Sequence, residues 1–130
     1  MRKFMISVGI IILCSVALQA NFLVKEMNQA KKEKKLILLT VESDTCPYCL
    51  KMRKNIFNVK KYSQKIDKHY IHVIVNARDE ILPEFLHTKY LPTNYILSPL
   101  KLRIIDEFPG YMEPEHFMEL LDEVYRQEIK

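Results

Sequence analysis

Two cysteines stand two residues apart in the stretch Thr45-Cys46-Pro47-Tyr48-Cys49-Leu50-Lys51-Met52. An apolar run from Leu36 to Val41 precedes them, and a segment with helical patterning follows. That setting suits a working dithiol better than a structural staple. The thiolate is the reactive species, and a helix N-terminus stabilises it through unpaired backbone N–H groups and the positive end of the dipole. Pro47 fits the first helical position, where its missing N–H costs nothing. Cys46 is then expected at the N-cap, exposed, with Cys49 one turn behind and within reach of its sulfur. The chemistry such a pair offers is exchange with another disulfide: Cys46 attacks and Cys49 resolves.

Rival chemistries fit the residues less well. A closed zinc site needs four ligands, such as two cysteine pairs or one pair with spaced histidines. The histidines here are His69, His72, His87 and His116. His69 and His72 flank a strand start and are expected to face opposite sides, so satisfied or surface histidines are the simpler reading and no metal is expected. A redox-inert module that only binds a partner is the remaining class, and the intact dithiol argues against it. Tyr90, Tyr95 and Tyr111 form either an aromatic rim for a substrate or ordinary core packing. No nucleotide loop, paired-carboxylate spacing or Ser-His arrangement is present, and no cofactor is expected.

The elements that must position the dithiol can be read from periodicity. Asn21 to Lys35 reads as a helix ending in Lys31-Lys32-Glu33-Lys34-Lys35, a solvated terminus whose cations suit the C-terminal dipole. Leu36 to Val41 is apolar on both faces and too short for a helix, which marks a central strand of a partly parallel sheet. Pro47 to Phe57 follows with Met52 and Ile56 on one stripe and Leu50 and Phe57 on another. Val59, Tyr62 and Ile66 mark a further turn or helix. Tyr70 to Val75 is a second strand. Pro83 is expected to open a short helix carrying Leu82, Phe85, Leu86 and Tyr90. Thr93 to Leu97 is a third strand and Leu102 to Phe108 a fourth, outer one, with Leu102, Ile104 and Phe108 on one face. Gly110 marks a tight turn. Pro114 opens a last helix with Phe117, Leu120, Leu121 and Val124 at i, i+3, i+4 and i+7. The motif thus falls just past the C-terminal end of a central strand, where chemistry gathers in open α/β sheets.

Residues 1–20 read differently from the rest. Arg2 and Lys3 precede an almost wholly apolar run from Phe4 to Leu18, and Leu18-Gln19-Ala20 ends in a small residue suited to a signal peptidase. A cleaved export signal is expected, with an uncleaved anchor as the alternative, since the run is shorter than the roughly 20 residues of a span. Cys14 follows the bulky Leu13, a poor lipoprotein site. The folded domain is then 21–130. The chain of 130 residues carries a formal charge of +4, and removing Arg2 and Lys3 leaves 18 basic against 16 acidic groups. So small a balance predicts no nucleic-acid partner. One close cysteine pair, in an exported chain, leaves stability to a packed core.

The order α-β-α-β-α-β-β-α, with Cys-x-x-Cys after the first strand and Leu91-Pro92-Thr93 before the third, resembles the thioredoxin fold. Lys35-Leu36-Ile37-Leu38-Leu39, Lys54-Asn55-Ile56-Phe57 and Phe108-Pro109-Gly110-Tyr111-Met112 are similar to the C-terminal periplasmic domain of the disulfide reductase DsbD and to small exported thioredoxin-like proteins, over about residues 30–125. The resemblance implies an α/β fold with a four-stranded mixed sheet flanked by helices. It also implies a cis Leu91–Pro92 bond, substrate contact through Leu91, Pro92 and Tyr48, and activity as a periplasmic thiol–disulfide oxidoreductase. Its implied partners are protein disulfides, including apocytochrome c thiols, and a membrane electron donor or acceptor; a monomer is expected. The DsbD likeness favours a reductant over an oxidant or isomerase.

Two departures from the family pattern stand out. Thioredoxins carry a buried aspartate six positions before the first cysteine as proton acceptor for the resolving thiol; here that position is Thr40, with Thr45 where a tryptophan is common. Glu42, on the same strand face, is the candidate for proton transfer to Cys49, against the simpler reading of a solvated carboxylate at a strand end. Pro47-Tyr48 is the glutaredoxin dipeptide, but Tyr90-Leu91-Pro92 and a lone Gly110 replace the glutathione-holding segments, so no glutathione site is expected. Lys51, Arg53 or Lys54 would help the dipole lower the Cys46 pKa, and Asp44 and Glu42 would oppose them.

Overall fold

Leu36–Glu42 is buried along its whole length. It earns that burial from its place: strand β1 has a neighbour on each edge and packed elements over both faces. The computed structural model describes residues 22–79 and 81–130. The expected export signal at 1–20 lies outside the described residues. Helix α1 (Val24–Glu33) leads into β1 through Lys34, whose left-handed backbone lets its N–H and that of Lys35 reach back to Ala30. After β1 come α2 (Pro47–Met52), continued by a π-helical turn Arg53–Phe57, then α3 (Lys60–His69) and β2 (Tyr70–Asn76). A 3₁₀ turn at Glu84–Leu86, β3 (Thr93–Leu97), β4 (Ile104–Pro109) and α4 (Pro114–Glu128) complete the chain. Among the described residues no helix is long and apolar enough to cross a membrane.

The four strands form one mixed sheet in the order β2-β1-β3-β4. β1 runs parallel to β2 and antiparallel to β3, and β3 is antiparallel to β4. Alternation along β1 then divides the core. Leu36 and Leu38 join Met52, Ile56, Ile66, Ile96, Phe117 and Leu121 beneath α2, α3 and α4. Ile37, Leu39 and Val41 join Ala30, Leu82, Leu86, Tyr95 and Leu97 beneath α1 and the 82–91 segment. Each fully buried Leu or Ile contributes about 1.5–3 kcal/mol relative to exposure, so both layers hold the sheet.

Two sequence expectations fail, each for a local reason. Pro83 opens a single 3₁₀ turn and not a helix; Leu82 and Leu86 are buried, but Phe85 and Tyr90 point to solvent. In β4, Ile96 lies opposite Asp106 and Leu97 opposite Ile104, so Ile105 is an extra residue. One extra residue reverses the alternation. Ile104 therefore packs on the α1 side and Phe108 on the α2 side, while Leu102 precedes the strand with φ 50°.

Candidate redox site

The turn from β1 into α2 places the cysteines. Cys46 is extended (φ −89°, ψ 112°) and caps the helix, its sulfur accepting from the Cys49 N–H at 3.2 Å, and Pro47 occupies the first turn. The Leu50 N–H closes the first helical bond onto the Cys46 carbonyl at 3.2 Å. The two sulfurs are joined in a disulfide, with Cα atoms 5.2 Å apart. The partners differ in access. Cys46 is half-buried, whereas Cys49 is only 2% exposed. An incoming sulfur therefore reaches Cys46 and not Cys49.

The Leu91–Pro92 peptide bond is cis, and the Leu91 carbonyl oxygen sits 3.4 Å from Cys46 Sγ. In the dithiol the Cys46 S–H can donate to that oxygen. Thr88 and Thr93 bind the Tyr90 backbone and fix this loop from below. From the other side Gly110, at φ 83°, donates its N–H to the Pro92 carbonyl at 2.6 Å. An open groove of about 500 Å³ results, lined by Tyr48, Lys89, Tyr90, Leu91, Gly110 and Tyr111. Tyr48 and Tyr90 are 60% and 67% exposed. Tyr111 is held by a hydrogen bond from Asn55 at 2.9 Å and by Lys51 Nζ, 4.4 Å above its ring. Tyr95 takes no part, being buried on the opposite face of the sheet.

Beneath α2 the sheet floor is polar. Glu42 is 4% exposed and is not the solvated carboxylate that the strand end implied. Arg53 grips both its oxygens, Nε to Oε2 at 3.0 Å and the second nitrogen to Oε1. Arg53 is one turn beyond Cys49 on the same helix face, and its cation is committed to Glu42, not to Cys46. Thr40, fully buried, donates its one hydroxyl hydrogen to Asn94 Oδ1 at 2.6 Å. His72 Nε2 lies 2.8 Å from the same hydroxyl oxygen, so Nε2 must carry the hydrogen and donate. Asn94 Nδ2 continues the chain to Met52 Sδ at 3.3 Å. Burial pushes the His72 pKa down to about 4, which keeps the ring neutral at physiological pH.

A family model described as a thioredoxin-like domain matches residues 23–125. The chain belongs to the thioredoxin-like domain family. No curated protein sequence matches it. Among solved structures, this thioredoxin-like chain is similar to a thioredoxin-fold protein from Helicobacter pylori (24% identity, 74% of each chain covered, TM-score 0.63). It is also similar to the periplasmic thioredoxin SoxS from Paracoccus pantotrophus (21% identity, 72% of this chain and 98% of that one, TM-score 0.57). The C-terminal domain of DsbD from Neisseria meningitidis aligns at 18% identity over 84% of this chain and 94% of that one, with a TM-score of 0.58. These likenesses show the fold, α/β with its four-stranded mixed sheet.

The thioredoxin-like fold brings Cys46, Cys49, Tyr48, Leu91 and Pro92 to one edge, and Glu42 to the floor with Arg53. Sequence reasoning read His72 only as a satisfied or surface histidine, not as the partner of Thr40, and missed Asn94. A polar residue inside a strand otherwise rich in Val and Ile was the only available signal for His72. Asn94, in a five-residue strand, offered none that separates a floor position from the other face.

Proposed function

We propose that this chain is a periplasmic thiol–disulfide oxidoreductase that works as a reductant of protein disulfides, with apocytochrome c thiols among its clients. The observation that carries the reading is the unequal access of the two bonded cysteines. The half-exposed Cys46 caps a helix beside the Leu91 carbonyl, and the buried Cys49 lies directly behind it. In the reduced protein, the Cys46 thiolate attacks one sulfur of a substrate disulfide and releases the other as a thiolate. Cys49 then loses its proton and attacks Cys46 Sγ, expelling the second substrate sulfur and closing the Cys46–Cys49 bond. Two electrons pass to the substrate, and a membrane electron donor restores the dithiol.

The remaining parts have natural roles in this scheme. The cis Leu91–Pro92 segment offers the Leu91 backbone to an extended substrate strand, and Tyr48 flanks it. Glu42 takes part in proton transfer to and from Cys49, with Arg53 as the group it must exchange against. Residues 1–20 direct export and are cleaved, leaving a monomeric domain; SoxS, a structural neighbour, is itself described as a periplasmic thioredoxin, which supports that location.

The reading is tested by insulin reduction, with Cys46→Ser as control, and by the reduction potential of the pair. Turnover that vanishes in Cys46→Ser and a potential near about −270 mV support a reductant, whereas one near about −120 mV makes the protein an oxidant. Wild-type protein without turnover in either direction sinks the assignment.

A further inference from the structure

The groove beside Cys46 carries charge that the exchange scheme leaves unused. Lys89 lines it, exposed, two residues before Leu91, whose carbonyl oxygen is 3.4 Å from Cys46 Sγ. Two residues of chain span at most about 7 Å, so Lys89 stands close to whatever flanks a substrate cysteine bound at Cys46. At Tyr111, another lining residue, Lys51 holds its Nζ 4.4 Å above the ring, and Asn55 donates to the hydroxyl at 2.9 Å. Among the described residues neither lysine makes an ion pair, whereas Arg53 is bound to Glu42.

No carboxylate offsets these cations inside the groove, among the described residues. Asp44, before Cys46, and Glu113, after Tyr111, are exposed outside the lining. Glu107 lies across from Tyr95, on the other face of the sheet. Apart from Arg2 and Lys3 the chain is nearly balanced, with 18 basic groups against 16 acidic. The positive groove is therefore a local feature and not the background of a basic protein. The rest of its surface is aromatic, with Tyr48 and Tyr90 projecting into solvent. Exposed tyrosines around a reactive atom offer large contact area at little entropic cost, and a peptide's apolar side chains can cover them.

We propose that the groove selects protein disulfides whose cysteines are flanked by Asp or Glu, with Lys89 as the specificity-determining residue and Lys51 as the second cation. The inference deepens the exchange reading above and rests on it. A flanking carboxylate gains an ammonium partner at Lys89 and the field of Lys51 beside Tyr111, whereas a flanking lysine meets two like charges. Both lysines are exposed, so each contributes as a surface charge does, modestly and less in salt. The occupant is an extended protein segment, because a small anionic disulfide would leave the tyrosines uncovered.

The test uses two short synthetic peptides, each closed by one internal disulfide and identical except for Glu or Lys beside each cysteine. Reduced protein is mixed with excess peptide, and the rate of single-turnover exchange is read by thiol alkylation. The Glu peptide should react about three- to tenfold faster than the Lys peptide at low salt. The ratio should fall toward one in about 1 M NaCl, where charges are screened within about 3 Å. Lys89→Arg should keep the preference, and Lys89→Glu should abolish or invert it. Lys61→Glu, the same charge change on α3, should leave it intact. Equal rates for the two peptides overturn the proposal. So does a preference that survives Lys89→Glu, or one lost equally in Lys61→Glu, since net charge would then explain it. A second arm separates this proposal from the exchange reading: dye-labelled peptides with alanine in place of each cysteine, titrated into disulfide protein and followed by anisotropy. Tighter binding of the Glu version by about three- to tenfold, without exchange of the parent peptides, would keep the selectivity and sink the oxidoreductase reading alone. Without exchange, equal or undetectable affinities overturn the proposal as well.

Discussion

The two faces of the sheet are built from the same strands but solve different problems. On the α1 side, β1 presents Ile37, Leu39 and Val41, and β3 presents Tyr95 and Leu97; all are apolar or aromatic and buried. On the α2 side, β1 begins with Leu36 and Leu38 but turns to Thr40 and Glu42 as it nears the cysteines, and His72 and Asn94 join them from the flanking strands. Burying polar groups is costly unless each finds a partner, and here each does. The apolar face supplies stability. The polar face gives up some of it to seat a hydrogen-bond chain from His72 through Thr40 and Asn94 to Met52 beneath α2.

Substitutions can break that contrast. The largest effect belongs to the reactive edge: Cys46→Ser should abolish disulfide reduction in the insulin assay while leaving the thermal midpoint of the reduced protein nearly unchanged. On the apolar face, Leu39→Ala should cost about 2–5 kcal/mol in chemical denaturation, because Leu39 is fully buried. It should leave the reduction potential where it was. A shifted potential in Leu39→Ala would show that the two faces are not separable.

The polar face should instead be sensitive to acid. The His72 pKa falls from an ordinary value near 6.5 to about 4 in the fold. Below about pH 6.5 the unfolded chain therefore binds a proton that the folded one refuses, and stability declines as pH drops toward 4. The full loss approaches about 3 kcal/mol. His72→Gln should flatten this part of the profile relative to wild type in parallel denaturation curves. Glu42→Gln comes next, costing about 1–3 kcal/mol because it leaves half-exposed Arg53 with a weaker partner. It should also change the pH profile of turnover if Glu42 handles the Cys49 proton; an unchanged profile would remove Glu42 from the mechanism. The smallest effect is expected at the rim: Tyr90→Ala, at a 67% exposed position, should move stability by less than about 0.5 kcal/mol and raise KM for a protein substrate.

Much of this arrangement was legible beforehand where local signals and tertiary demands agree. Pro47 after Cys46 sets a helix start, and six apolar or β-branched residues in a row set β1. Gly110 sits at its positive φ, and Pro114 opens α4. The failures came where a local signal was overruled. Leu82, Phe85, Leu86 and Tyr90 have helical spacing, yet only Leu82 and Leu86 find a buried surface and the segment stays a single 3₁₀ turn. In β4 a bulge at Ile105 reversed the faces of Ile104 and Phe108, which no count of alternation within that strand can show.

By itself the sequence determined the dithiol, its place at a helix start and the α/β order, because each depends on residues close together in the chain; the place of Pro92 beside the dithiol was implied only by the family resemblance. Only the tertiary structure decided which polar groups lie beneath α2. Thr40, His72 and Asn94 come from three strands, separated by 32 and 54 residues from Thr40 to its two partners. Their meeting depends on strand order and register, which follow from how the whole core packs and not from any one segment. The same packing turned Glu42 from a strand-end carboxylate into a buried partner of Arg53.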